Sequence, residues 1–374
     1  MRGRGTTVDG QGFWSVADYE AHCRTLTPPD VFASLYGRVG EPDWSTHTAN
    51  VEALRRVRFR PRVLRDVSRR TQATTLLGTP VRTPVTLAPT GDLMRLDPEG
   101  ELSTARAAAT AGVVYVVSAS PSVPVAEIAA ANAGGTLWQQ LFLLRDRAIT
   151  EWQLAQAAEV GARAVVWTVS NTGAPTRRRP PAPDPAAEAR RSAPAAHLAG
   201  YPHGPVPSAT ELARSWDNSA TWADVAWFRA RTTLPLVVKG VQTAEDARAA
   251  VDHGVDGIVV SNHGGRMLPD ARATIDALPE VVDAVDGRAE VYVDGGFQTG
   301  HDELKALALG ARSAFVGRAA RWGQRVAGTA GILDVLRILG EELDVAMAWT
   351  GVADVAEAGP DLVVADPPGR GHHR

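Results

Sequence analysis

Four stretches of this chain follow one grammar: an alanine-rich helical end, a glycine, then an unbroken apolar run. They read "AAATAGVVYVVS", "AAEVGARAVVWTVS", "AVDHGVDGIVVSN" and "LALGARSAFVGR". Gly112, Gly161, Gly254 and Gly310 stand where a helix C-terminus needs a left-handed residue before the chain turns back. The runs that follow show no polar–apolar alternation, which is the pattern of strands buried on both faces in a parallel sheet. A repeated supersecondary unit limits the possible folds more tightly than composition does.

Other apolar runs complete a set of eight predicted strands, at 85–88, 113–119, 137–142, 164–170, 235–239, 257–262, 290–294 and 314–317. Most lie about 25 to 30 residues apart, enough for a helical crossover. Eight such units over about 250 residues predict an α/β fold, a (β/α)8 or TIM barrel. An open doubly wound sheet would more usually begin with a Gly-rich phosphate turn, and "LAPTGD" is not one. Residues 1–75 carry helical patterning ("VADYEAHCRTL", "NVEALRRVRF") and predict an N-terminal helical cap on a barrel spanning 76–366. The spacing between strands four and five widens to 65 residues, from 170 to 235. Residues 174–220 of that long loop are rich in Pro, Ala and Arg, a composition unable to build a core of its own. The segment reads either as a lid over the barrel mouth or as a disordered surface loop. Residues 367–374 read as a flexible tail, and its His372 and His373 do not make a metal site.

Composition excludes several classes of function. A net charge of −3 over 374 residues gives no reason to expect nucleic acid as a partner. The lone Cys23 rules out an internal disulfide and fits a reducing cytoplasm. No apolar run approaches the roughly 20 residues of a membrane span.

In barrels the chemistry collects where the strands end at their C-termini. Here those ends read Pro89-Thr90-Gly91, Ser118, Gln140, Thr168, Lys239, Ser261 with His263, Asp294-Gly295-Gly296, and Gly317-Arg318. Nearly every one is polar or cationic, which a barrel built for stability alone does not need. The loops after strands seven and eight commonly hold phosphate through backbone N–H groups. "VDGGFQTG" supplies glycines for close approach there, and "VGRA" supplies a cation. Lys239 would place an ammonium at a mouth where water is scarce, a position that calls for an anion. His263 suits proton transfer near neutral pH, and Arg266 has the fork that grips a carboxylate.

At this level of detail the chain resembles the FMN-dependent α-hydroxy-acid oxidases and dehydrogenases, the family of the glycolate, lactate and mandelate enzymes. The likeness runs over nearly the whole chain, through "FRPRVLRDVS", "LAPTG", "DPEGELSTARAAA", "VKGVQTAEDARAAVDHG", "VSNHGGR", "VDGG" and "KALALGARSAFVGR". It implies FMN as cofactor, a small-molecule substrate, dioxygen or another electron acceptor, and a homotetramer or larger assembly. Pro89, Thr90, Gly91, Ser118, Gln140 and Thr168 would line the flavin ring and ribityl side, with Ser261 also in contact. Lys239 would stabilise the reduced ring. Asp294, Gly295, Gly296, Gln298, Gly317 and Arg318 would hold the ribityl chain and phosphate. His263 would be the base, Arg266 and Arg177 of the "TRRR" run the carboxylate clamp, and Tyr36 of "LYGRVG" a substrate tyrosine.

The chain departs from the family's pattern at four places. Phe142 in "QQLFLL" stands where relatives carry a substrate tyrosine, and Ser170 or Asn171 in "TVSNTG" where they carry an aspartate beside the base. Neither can stabilise an imidazolium by charge, a pairing of about 4 kcal/mol in gross Coulomb energy near a surface. Gln298 replaces a phosphate arginine, and Pro269 an aspartate. Ser120 lies where some relatives have a bulky aromatic residue. These departures point to oxidation of a larger or aromatic 2-hydroxy acid in a specialised pathway. An FMN-dependent amine oxidase, a degenerate non-catalytic barrel and an aldolase with Lys239 as Schiff-base nucleophile stay open as alternatives.

Overall fold

A computed structural model describes residues 7–8, 11–36, 45–170 and 185–365. Eight parallel strands close into a barrel in chain order: β1 (Val85–Leu87), β2 (Val114–Val117), β3 (Thr136–Leu141), β4 (Val165–Thr168), β5 (Leu236–Val241), β6 (Gly257–Val260), β7 (Glu290–Asp294) and β8 (Ser313–Val316). All eight fall within or against the runs predicted from sequence. The four glycines of the repeated grammar all adopt positive φ, between 68° and 97°, where helix gives way to strand. That conformation is one an L side chain seldom takes.

The alternation of strand side chains divides the apolar residues between two cores. Val114, Val116, Trp138, Val166, Val237, Val259, Tyr292 and Phe315 point inward and fill the barrel. Their neighbours Tyr115, Val117, Leu137, Val165, Trp167, Val238, Ile258, Val260, Val293 and Val316 face the surrounding helices. Trp138, Tyr292 and Phe315 form the centre of the plug, with ring centroids 5.5 to 6.2 Å apart. A hairpin of Thr74–Leu76 and Thr79–Val81 seals the N-terminal end with Leu76 and Val81. The plug therefore closes the bottom and middle, and only the C-terminal mouth is left for chemistry.

Helix Val16–Thr25 packs on the last helix, Arg318–Thr350, where buried Tyr19 donates to Asp334 Oδ2 at 2.8 Å. Helix Ser45–Arg56 crosses the mouth and packs on the turn after β6. There Asn50 and Asn262 exchange two hydrogen bonds, of 3.0 and 2.8 Å. In the described part of 174–220, whose composition cannot build a core of its own, the apolar residues pack on other parts of the chain. Helices Pro185–Ser192 and Ala209–Arg214 flank a turn, and Ala195, Leu198, Tyr201 and Leu212 bury themselves against Leu144 and Ile149. The segment borrows apolar partners from the β3 loop and the helix after it, which composition alone could not reveal. Residues 171–184 lie outside the described part.

Candidate active site at the mouth of the barrel

Strand periodicity builds the site. Counting two residues beyond each inward plug residue gives Ser118 after Val116, Gln140 after Trp138, Thr168 after Val166 and Lys239 after Val237. The same step gives Ser261 after Val259, Asp294 after Tyr292 and Gly317 after Phe315. Alternation of side chains places this whole set on the inner face, one layer above the apolar plug. The polar strand ends noted in the sequence thus form a single ring.

Within that ring Lys239 Nζ lies 2.6 Å from Asp294 Oδ2, both side chains under 10% exposed. Lys239 also donates to Ser261 Oγ at 2.8 Å. Burying two ions is costly, and the carboxylate offsets the cost of the ammonium only with close geometry and further hydrogen bonds. Asp294 Oδ1 is buried and has no hydrogen-bond partner among the described residues. A buried carboxylate oxygen left in this state is an acceptor for a ligand hydroxyl.

His263 is held by its turn. Asn262 caps it, accepting from Gly265 N at 3.1 Å, and His263 N donates to Ser261 Oγ at 3.1 Å. His263, Gly264 and Gly265 all have positive φ, at 58°, 65° and 74°. A Cβ on Gly265 would fall 2.5 Å from His47 N on the crossing helix, so glycine is required there. For the histidine this backbone is strained by about 1–3 kcal/mol, and strain of this kind gathers at functional sites. Ser170 Oγ lies 3.1 Å from His263 Nδ1, so a hydroxyl occupies the place next to the imidazole. A Cβ at Gly240 would meet Ser170 N at 2.7 Å, and the bare glycine allows β4 and β5 to bring Ser170 that close.

The rest of the mouth is rich in cations. Arg318 donates to Tyr36 O at 2.5 Å and Gly264 O at 2.8 Å. Burial and then Arg321 push its guanidinium down to about 10. Arg321 is lowered by burial, and its Nε has no hydrogen-bond partner among the described residues. Its guanidinium sits 5.3 Å from the centre of the Tyr36 ring. Burial, then Arg318, hold His47 down to about 4, so this imidazole adds no charge near neutrality. Clustered cations of this kind await an anion.

One cavity of about 300 Å³ collects Pro89, Thr90, Gly91, Ser118, Gln140, Phe142, Thr168, Lys239, His263, Arg266, Asp294, Gly295, Gly296, Gln298, Gly317 and Arg318. Ser261 stands behind this lining and reaches it through Lys239 and the His263 backbone. Tyr36 does not line the cavity. It is fully buried, its hydroxyl accepts from Cys23 Sγ at 3.3 Å, and its ring packs on Phe32 at 4.6 Å. Arg177 lies outside the described residues. The cavity also takes in His47, Arg95, Phe297 and Arg321, which the sequence reading missed. Arg321 carried a readable signal, since it follows Arg318 at the i,i+3 spacing that puts both on one helix face.

These residues suit FMN. The buried Asp294 Oδ1 can accept from a ribityl hydroxyl, Gly295 and Gly296 expose backbone for close approach, and Arg318 and Arg321 answer a phosphate. A model of the FMN-dependent dehydrogenase family matches residues 23–365. Human 2-hydroxyacid oxidase 2 is 40% identical over 351 residues, covering 93% of this chain and 97% of that protein. Glycolate oxidase 1 of Zea mays is 38% identical, covering 92% and 93%. A crystal structure of mandelate oxidase superposes with a TM-score of 0.81 at 38% identity, covering 95% of this chain and 98% of that one. Another, at 37% identity and a TM-score of 0.77, carries an FMN adduct and covers 93% and 99%. The fold, the cavity and these matches agree, and the chain belongs to the FMN-dependent dehydrogenases, as an oxidoreductase with FMN as its cofactor.

Proposed function

We propose that this enzyme oxidises a 2-hydroxy acid to the 2-oxo acid. The observation that carries the reading is one cavity lined by His263, Arg266 and the buried Lys239–Asp294 pair, within a family that uses FMN. The guanidinium of Arg266 anchors the substrate carboxylate, steadied by its own hydrogen bond to Leu35 O at 3.1 Å. Arg177 is its second clamp. His263 takes the proton released by the substrate, its Nδ1 oriented by Ser170 so that Nε2 serves as the base. The substrate loses one hydroxyl proton and the α-hydrogen with its electron pair, leaving a carbonyl. When bound, FMN supplies the two-electron acceptor. Lys239 provides fixed positive charge in a dry site, worth most where negative charge develops. Gln140 Oε1 accepts from Ala119 N at 2.8 Å, which fixes that side chain in the ring. Phe142 contributes no hydroxyl, so binding rests on the cations.

Dioxygen is the acceptor we assign to the second half of the turnover, in line with relatives named as oxidases. No helix among the described residues is long and apolar enough to cross a membrane. We place the enzyme in the cytoplasm, a reducing compartment that suits its single, buried free cysteine, Cys23. Val63, Leu64 and Trp349 are largely exposed, apolar surface that an oligomer would cover, and we assign a tetramer or larger assembly. An amine is the second reading for the substrate. It is favoured by Ser170, which places a neutral hydroxyl at His263 Nδ1.

Anaerobic mixing of the FMN-loaded enzyme with panels of 2-hydroxy acids and of amines, followed by flavin absorbance, tests the choice. The expected result is bleaching by 2-hydroxy acids, with one 2-oxo acid formed per flavin. Bleaching by amines alone would overturn the reading.

A further inference from the structure

A second cavity of about 400 Å³ adjoins the first, and the two share Phe142 and Thr168 as common wall. Its other principal walls are Trp167, Trp216 and Trp222, so three indoles and a phenyl ring surround it. Phe142 stacks on Trp216 with ring centroids 4.5 Å apart and 35° between planes. The acidic residue on its rim, Asp217, accepts from Arg147 at 2.6 Å, and the same guanidinium reaches Asp224 at 3.2 Å. Trp216 and Trp222 belong to the stretch between the inserted helices and β5, outside the repeated βα grammar.

We infer that this aromatic chamber receives the side chain of the substrate, and that the enzyme's natural substrates are 2-hydroxy acids bearing an aryl or arylalkyl group. The inference rests on the 2-hydroxy-acid reading above. A substrate with its carboxylate on Arg266 and its α-carbon at His263 has one substituent left to place. The wall it shares with the second chamber is formed by Thr168 and by the ring of Phe142, which brings no hydroxyl. Flat aromatic groups suit stacked and edge-on contacts with indole rings, and a chamber of this size is in the range of small-molecule sites.

The test fills the chamber without touching the catalytic ring. Ala220→Phe and Thr221→Phe are made separately, and each is compared with wild type in two ways. Anaerobic flavin reduction is measured with glycolate and with mandelate. Binding of phenylacetate, which cannot be oxidised at a hydroxyl, is read by tryptophan fluorescence against acetate as control. In wild type, mandelate is expected to be preferred, and phenylacetate to change the indole emission where acetate does not. Filling should cost mandelate at least about tenfold in reduction efficiency while glycolate changes less than twofold, a discrimination typical of apolar pockets. Equal loss of both substrates in both variants, or no emission response to phenylacetate in wild type, would overturn the inference. If no 2-hydroxy acid reduces the wild-type flavin but phenylacetate still perturbs the indoles, the chamber stands and the reaction assigned above fails.

Discussion

Ser170 is the residue that faces the proposed base, His263. Its hydroxyl lies 3.1 Å from His263 Nδ1, where it orients the imidazole but supplies no countercharge. A carboxylate in that place would favour the imidazolium that forms when the base takes its proton. Ser170→Asp is therefore expected to raise kcat for a simple 2-hydroxy acid by about tenfold, the value of roughly 1.4 kcal/mol at the barrier. The acid limb of its kcat/KM profile should move to higher pH, because the favoured imidazolium cannot accept a proton. A pH series of flavin reduction rates measures both effects, and unchanged rates with FMN still bound would remove His263 from the proton path. Lys239 and Asp294 follow a different logic at the same scale. Neither ion is affordable alone in a ring under 10% exposed, so the pair must be kept or lost together.

Between residues and molecule stand the strands and turns, and much of the fold was legible at this level. Runs such as "GIVV" and "VVWT" could be read as strands because both faces are buried and no polar residue interrupts them. The cavity ring was legible for the same reason: residues two positions past the plug point inward whatever their type. Tyr36 was not legible, because the facing of its short helix is decided by Cys23 and Trp322, partners on other helices. His47 was hidden in the same way, entering the site only when helix Ser45–Arg56 crosses the mouth. One element beside β1 carries its own pH dependence. Glu101, at the start of helix Glu101–Ala111, is fully buried, and burial raises its carboxyl from 4.5 to about 7 against hydrogen bonds from Ser122 and Leu93 that lower it. Between those values the folded state keeps a proton that the unfolded chain has released, so stability falls as pH rises through the window and levels off above it. Glu101→Gln stays neutral throughout and should flatten that fall, by up to about 3 kcal/mol between its ends. Urea unfolding at pH 5 and pH 8 checks it, and equal slopes in wild type and variant would contradict the assignment.

Across the whole molecule the charge is nearly balanced, at −3, yet Arg95, Arg266, Arg318, Arg321 and Lys239 converge on one opening. Such focusing draws an anionic substrate and an anionic cofactor to the same mouth. The barrel supplies a rigid floor, the crossing helix fixes the turn that carries His263, and the inserted segment adds aromatic surface beside it. Together these parts would bring a bound FMN and His263 to a single α-carbon. The most direct measurement is single-turnover flavin bleaching under anaerobic conditions with a 2-hydroxy acid carrying hydrogen or deuterium at that carbon. Complete bleaching is expected, slowed several-fold by α-deuterium at saturating substrate. Bleaching at one rate for both isotopologues, or a flavin that stays oxidised while the acid is bound, would contradict it.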